Sequence, residues 1–182
     1  SRAIIDLSAL RHNLARARTA APTAKTMAVI KANGYGHGLL RVARALTEAS
    51  AFAVGQVNEA IALREASVGL DILALQGFLD VEDLEAAACL GVMVTIHHEF
   101  QVRLLEEAHL RAPLRVWLKV DSGMHRIGFP PGHVADVSAR LLASSNVVSP
   151  LHFITHLACA DDRQRTETQS QLRTFDGAVA SL

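Results

Sequence analysis

Cysteine is nearly absent from this 182-residue sequence: only Cys89 and Cys159 occur, and neither belongs to a CxxC pair. That scarcity argues against a disulfide framework or a thiolate zinc site, and it makes a reducing cytoplasm the expected setting. An excess of one charge is missing too, with 18 Lys+Arg against 18 Asp+Glu. Without a basic field, no nucleic-acid partner is expected. No apolar run approaches the roughly 20 residues that span a bilayer, so no membrane partner is expected either. The first residues, Ser1 to Asp6, lack the basic stretch and long apolar segment of a secretory signal. What is present is core material: half of the residues are hydrophobic, which argues against disorder. The length suits one ordinary domain.

Short apolar runs alternate with longer amphipathic stretches. Strands are expected at Thr26–Lys31, Ala51–Gln56, Asp71–Gln76, Val92–His97, Arg115–Asp121 and Leu151–His156, each nearly continuous in apolar residues, as strands covered on both faces are. Helices are expected at Leu39–Glu48, Asn58–Ala66, Val81–Leu90, Glu99–Leu110 and Pro131–Ser144, with a last one through Arg165–Leu182. Strict alternation of this kind predicts an α/β fold with a parallel sheet. Six βα units are too few for an eight-stranded barrel of typically about 250 residues. Composition leaves an open doubly wound sheet and a truncated barrel both standing. Ahead of these units, Ala3–Leu7 reads as a short strand leading into a helix from about Ser8 to Thr19, with Ser8 or Asp6 as its N-cap.

Chemistry concentrates in three strings. The first is Met27-Ala-Val-Ile-Lys31-Ala-Asn-Gly-Tyr35-Gly-His-Gly38. Strand periodicity puts Met27, Val29 and Lys31 on one face, with Lys31 at the strand's C-terminal end, where α/β folds gather their active sites. Three glycines in five positions permit unusual dihedrals and close backbone approach to a ligand. Taken alone, such a lysine is an ordinary strand cap before a turn. The second string is Lys119-Val-Asp121-Ser-Gly-Met-His-Arg126-Ile-Gly128-Phe, in which Lys119 shares a face with Trp117 and Asp121 and points inward. A buried ammonium needs a partner, and Asp121 is one candidate. The third is Thr155-His156-Leu-Ala-Cys-Ala-Asp161. His152 and His156 have the spacing of two zinc ligands on a helix, but on a strand they lie about 13 Å apart at roughly 3.3 Å per residue. His97 and His98 point to opposite faces. No metal site is expected.

KANGYGHG resembles the lysine motif of the alanine racemases, a family of fold-type III pyridoxal-phosphate enzymes, and the second and third strings resemble that family's fifth- and sixth-strand signatures in the same order. The segment Ala3–Leu14 resembles the family's N-terminal strand and the helix that leads into its barrel. The resemblance implies a parallel (β/α) barrel of TIM type, present here as about six units over residues 8–182. Residues 1–7 would then supply a strand of a separate β domain. It further implies pyridoxal 5'-phosphate as cofactor, held by Lys31 through its amine, with Val29 beside it, Tyr35 on the phosphate, Arg126 on the phenolic oxygen and His156 against the ring. Lys31 is the expected catalytic residue. Arg126 is also expected near substrate, and Lys119 is expected to carry a carbamate that supports Arg126. The implied reaction is interconversion of L- and D-alanine, for wall synthesis or D-alanine catabolism, in a homodimer. The family's second base is a tyrosine of the other domain, acting from the partner subunit. Tyr35 is the single tyrosine here, so these 182 residues alone are expected to be inactive. An incomplete barrel would leave the edges of Thr26–Lys31 and Leu151–His156 unpaired, so the chain is expected to be ordered only beside the rest of its polypeptide, a complementary fragment or another copy. A broad-specificity racemase of this fold, a non-catalytic pyridoxal-phosphate carrier and a Schiff-base aldolase are the alternatives, and the aldolase leaves Tyr35 and Arg126 without a role.

Overall fold

A computed structural model of the chain describes residues 3–180 and residue 182. Residues 1 and 2 of the expected N-terminal strand, and residue 181 near the end of the last expected helix, lie outside the described residues. The chain divides into two compact units, residues 1–75 and 76–182.

In the first unit, helix α1 (Leu7–Ala20) precedes strand β1 (Met27–Val29), helix α2 (Leu39–Ala45), strand β2 (Ala51–Val54), helix α3 (Val57–Glu65) and strand β3 (Asp71–Ala74). The strands pair in parallel, with Ala28 opposite Phe52 and Phe52 opposite Ile72. Every residue of β2 is buried, as its unbroken apolar run requires in a central strand. Ala3–Asp6 are not a strand, which corrects that expectation. Asp6 Oδ1 accepts hydrogen bonds from the Ser8 and Ala9 N–H groups at 2.8 and 3.1 Å, so the helix already begins at Leu7. Asp6 is thus the cap, and the Ser8 hydroxyl donates to it at 2.6 Å instead of capping the turn itself.

The second unit runs through helix α4 (Val81–Cys89), strand β4 (Met93–Ile96), helix α5 (Glu99–Glu107), strand β5 (Leu114–Lys119), a 3-10 turn (Pro131–His133), helix α6 (Val134–Ala143), strand β6 (Val147–Ile154) and helix α7 (Glu167–Val179). Its strands are parallel as well, with Thr95 opposite Trp117 and Trp117 opposite His152. Strand β6 starts four residues before the expected Leu151. Pro150 cannot donate to the ladder, and the strand takes it up in a register shift between Arg115 and Trp117 instead of ending there. Val94, Ile96, Val116 and Leu118 alternate into a core closed by Leu105 and Leu141 from the helices. On the other face of β5, Trp117 stacks on His152 with ring centroids 4.9 Å apart and donates its indole N–H toward Met93 Sδ. Among the described residues no helix is long and apolar enough to cross a membrane.

Candidate active site

Strand β1 stops at Val29 because the next turn winds the opposite way. The last ladder bond is donated by the Ile30 N–H to Ala53. Ala32, Asn33, Gly34, Tyr35 and Gly36 then follow one another at φ between 52° and 81°. A left-handed turn costs about 1–2 kcal/mol for each residue that carries a Cβ, so Ala32, Asn33 and Tyr35 need outside support. They have it. Gly34 and Gly36 donate to the carbonyls of Ile30 and Ala32 at 2.8 and 3.0 Å, closing left-handed i to i−4 bonds. The Asn33 carboxamide accepts from Leu39 N–H at 2.9 Å and so caps α2. Glu59, in the first turn of α3, accepts from Asn33 N–H at 3.1 Å with one oxygen and from Gly55 N–H at 2.8 Å with the other.

Lys31 therefore heads this turn and is not the last strand residue, which corrects its expected place on one strand face with Met27 and Val29. Its backbone lies beside Gly55, where an added Cβ would sit 3.7 Å from Lys31 Cβ. Lys31 is half-buried, whereas Tyr35 is 58% exposed and Val29 43% exposed. Gly34 is closely packed: a Cβ there would lie 3.0 Å from Val42 Cγ2, which would have to give way.

The second unit carries the other expected residues. Lys119 ends β5 and is 9% exposed. Beyond it the chain leaves as a loop and returns at Phe129, whose N–H donates to the Lys119 carbonyl at 2.8 Å while its own carbonyl accepts from Asp121 N–H at 2.9 Å. Gly128 closes the excursion at φ 123°, with Asp121 N only 2.9 Å from where a Cβ would be. Asp121 organises the interior of this loop. One of its oxygens accepts from the Gly123 and His125 N–H groups, and the other meets His125 Nδ1 at 3.0 Å. Burial alone would raise its pKa, but these bonds outweigh burial and hold the carboxyl below its ordinary range. Arg126 stands exposed on this loop. The end of β6 is tied to the end of β5 by the bond from Val120 N–H to the Ile154 carbonyl, at 2.9 Å. His156 follows, exposed. The second unit thus brings Lys119, the Arg126 loop and His156 to neighbouring strand ends, while in the first unit Lys31 and Tyr35 share the turn after β1. Among the described residues no group of three or more His, Cys, Asp or Glu is arranged to hold a metal ion.

The sequence gives no warning of the polar clamps behind these loops. Glu59 is one. Gln101 in α5 is another: its amide donates to the carbonyls of Gln76 and Phe78 at 2.9 and 3.1 Å, and its oxygen accepts from His97 N–H at 2.9 Å. Gln171 in α7 is the third. Each lies on the helix after an even-numbered strand, but a Gln or Glu in a polar stretch of helix reads as solvated surface.

His97 adds a pH response. Its half-buried ring contacts the Gln76 carbonyl at 3.1 Å. Burial disfavours the imidazolium and pulls the pKa below its ordinary 6.5, although the bond to Gln76 pulls the other way. The folded state therefore binds fewer protons than the unfolded chain just below that value. The stabilisation is whole above about pH 6.5 and is lost as pH falls through the folded pKa. The urea midpoint is expected to drop between about pH 7 and pH 5. In His97→Phe that drop should be shallower, and an equal slope would contradict the assignment.

Parallel strands alternating with helices, with polar and charged side chains on the loops after their C-terminal ends, define an α/β protein, and such folds gather their sites at those ends. The chain belongs to the family described as alanine racemase, N-terminal domain, whose profile matches residues 5–182. It is 54% identical over 184 residues to the alanine racemase of Thioalkalivibrio sulfidiphilus, covering 100% of this chain and 51% of that protein. The alanine racemase of Halorhodospira halophila is 52% identical over 183 residues, covering 100% and 50%. Among solved structures, the biosynthetic alanine racemase from Pseudomonas aeruginosa matches with a TM-score of 0.90 and 41% identity over 95% of this chain and 48% of its own. The chain spans about half the length of the relatives it matches. The open doubly wound alternative accordingly gives way to the parallel (β/α) barrel class that the motifs implied.

Proposed function

We propose that this chain supplies the lysine-bearing part of a pyridoxal-phosphate-dependent alanine racemase that interconverts L- and D-alanine. The observation that carries the proposal is the left-handed turn after β1, which holds a primary amine at its head and a phenol four residues on, in a chain of this family. The donor set suits an anionic aromatic aldehyde. Lys31 offers a nucleophilic amine, Tyr35 a hydroxyl donor and Arg126 an exposed guanidinium, and the space beside Gly36 is open. When bound, pyridoxal phosphate supplies an electron sink for the pair released as the substrate's α-proton leaves.

The chain's own residues do the rest. Lys31 is the residue whose amine would hold the cofactor at its aldehyde carbon, and its Nζ would carry a proton to or from the substrate's α-carbon on one face. Tyr35 would donate to the phosphate, Val29 and His156 would lie against the ring, and Arg126 would donate to the phenolic oxygen and face the substrate. Lys119 would hold Arg126 as a carbamate, formed when its neutral amine adds carbon dioxide and releases a proton. Inversion needs a second proton carrier on the opposite face. Tyr35 has another task, so that carrier comes from outside this chain, in a homodimer. Residues 8–182 are assigned to the cofactor-binding barrel, in a cytoplasmic enzyme.

The test is racemisation itself. The polypeptide that carries this chain, supplied with pyridoxal phosphate, should convert either alanine enantiomer to the racemate. Bound cofactor without turnover of alanine would contradict the substrate assignment.

A further inference from the structure

Helix α7 is polar for most of its length, yet it buries one amide. Gln171 is 3% exposed, and its three contacts reach two separate segments. Its oxygen accepts from Ala158 N–H at 2.9 Å, and its nitrogen donates to the His156 carbonyl at 3.0 Å and toward Ser122 Oγ at 3.5 Å. A backbone N–H only donates and a carbonyl only accepts, so the amide has a single workable orientation. The chain of bonds continues from Ser122 Oγ to Thr155 Oγ1 at 2.8 Å and from there to the Val120 carbonyl at 2.9 Å. Because the Thr155 proton goes to that carbonyl, Ser122 is the donor between the two hydroxyls. Every bond in this relay then points the same way, from α7 through Ser122 and Thr155 to the backbone just past β5. Gly123 leaves the amide its space: at φ 137° it has no side chain, and a Cβ there would lie 3.2 Å from Gln171 Cγ.

We propose that Gln171 is a positioning residue that fixes the Arg126-bearing loop and the His156-bearing end of β6 in one arrangement. Its consequence for a bound cofactor rests on the function proposed above. The chemistry that selects this residue is specific. The site needs one acceptor and at least one donor on a single rigid head, at the reach of a two-methylene stem. Glutamate offers no donor and methionine neither group. Glu59 and Gln101 make the same kind of bridge elsewhere in the chain, each joining backbone groups of two segments that follow strands. A helix-borne polar clamp is therefore a repeated device of this fold.

Gln171→Met, in the polypeptide that carries this chain, tests the proposal by amide exchange and by titration with pyridoxal phosphate. Exchange at residues 122–126 and at Ala158 should speed up by at least about tenfold, while Leu114–Lys119 keep their protection. The pyridoxal-phosphate dissociation constant should rise by about tenfold or more. The visible circular dichroism of bound cofactor should change, because its ring contacts are reoriented. Should Gln171→Met fail to fold, Gln171→Asn keeps the polar head on a shorter stem and is expected to show the same changes more weakly. Unchanged exchange at those loops would overturn the clamp whether or not cofactor binds. Faster exchange with unaltered cofactor affinity and dichroism would overturn its positioning role. If the unsubstituted polypeptide binds no pyridoxal phosphate, the proposed function fails, and the exchange comparison still decides whether Gln171 joins the two segments.

Discussion

Lys31→Ala is expected to lower kcat/KM for alanine racemisation by at least about 10⁴-fold, the upper range for losing one acid–base group, with loss of a covalent cofactor attachment added to it. Fold stability should change little, because the Lys31 side chain is half-buried and holds no element together. The left-handed turn is maintained by backbone bonds, Asn33 and Glu59, none of which needs the ammonium. The pair of observations is diagnostic: activity disappears while the thermal midpoint stays. Lys31→Arg should be as inactive, since a guanidinium keeps the charge but is not a nucleophilic amine. Racemisation within about tenfold of the parent in either variant would remove Lys31 from the chemistry.

The largest effect on stability is expected at Gly77, away from the reacting groups. Gly77 sits at φ 68° between the two residues whose carbonyls accept from Gln101. A Cβ there would lie 2.2 Å from the Thr95 carbonyl oxygen and 2.5 Å from Gln101 Nε2. Alanine must therefore expel the Gln101 amide, leaving two carbonyls and the His97 N–H short of partners inside the protein. Overpacking and left-handed strain each cost about 1–3 kcal/mol, so a total loss of about 2–6 kcal/mol is expected. At roughly 2–4 °C per kcal/mol for a chain of this size, the midpoint should fall by about 4–24 °C. Gly91→Ala is the control. It also has a left-handed φ, of 61°, but open space where the Cβ would go, so it should cost only about 1 kcal/mol. Equal losses at the two positions would show that steric closure around Gly77 is not the cause.

Much of this fold was legible because apolar runs and helical spacing report burial directly. Strands β2 and β3 and helices α4 and α5 begin at the residues their patterns indicate. The misplacements have local causes. Lys31 fell outside β1 because strand periodicity carries no sign of backbone handedness, and Ala32 and Asn33 adopt positive φ alongside the glycines that do signal it. Strand β6 was entered late because a proline normally closes a strand. Asp6 displaced Ser8 as the cap because two neighbouring acceptors competed for the same N–H groups, and the carboxylate reaches both.

The candidate site divides along similar lines. Lys31, Tyr35, Arg126 and His156 stand out because each sits in a distinctive string of the sequence. Glu59, Gln101 and Gln171 do not, because their partners are backbone groups, which every residue supplies. Gln171 and its exposed neighbour Gln169 have the same composition around them and opposite burial. Only tertiary packing separates the two.

The most direct measurement exploits the scarcity of lysine in the chain, which has only Lys25, Lys31 and Lys119. Borohydride reduction of the polypeptide loaded with pyridoxal phosphate, followed by peptide mapping, locates the covalently attached cofactor among the three. A single pyridoxyl adduct on Lys31 is the expected result. An adduct on Lys25 or Lys119, or none on this chain, would contradict the assignment of Lys31 as the cofactor lysine.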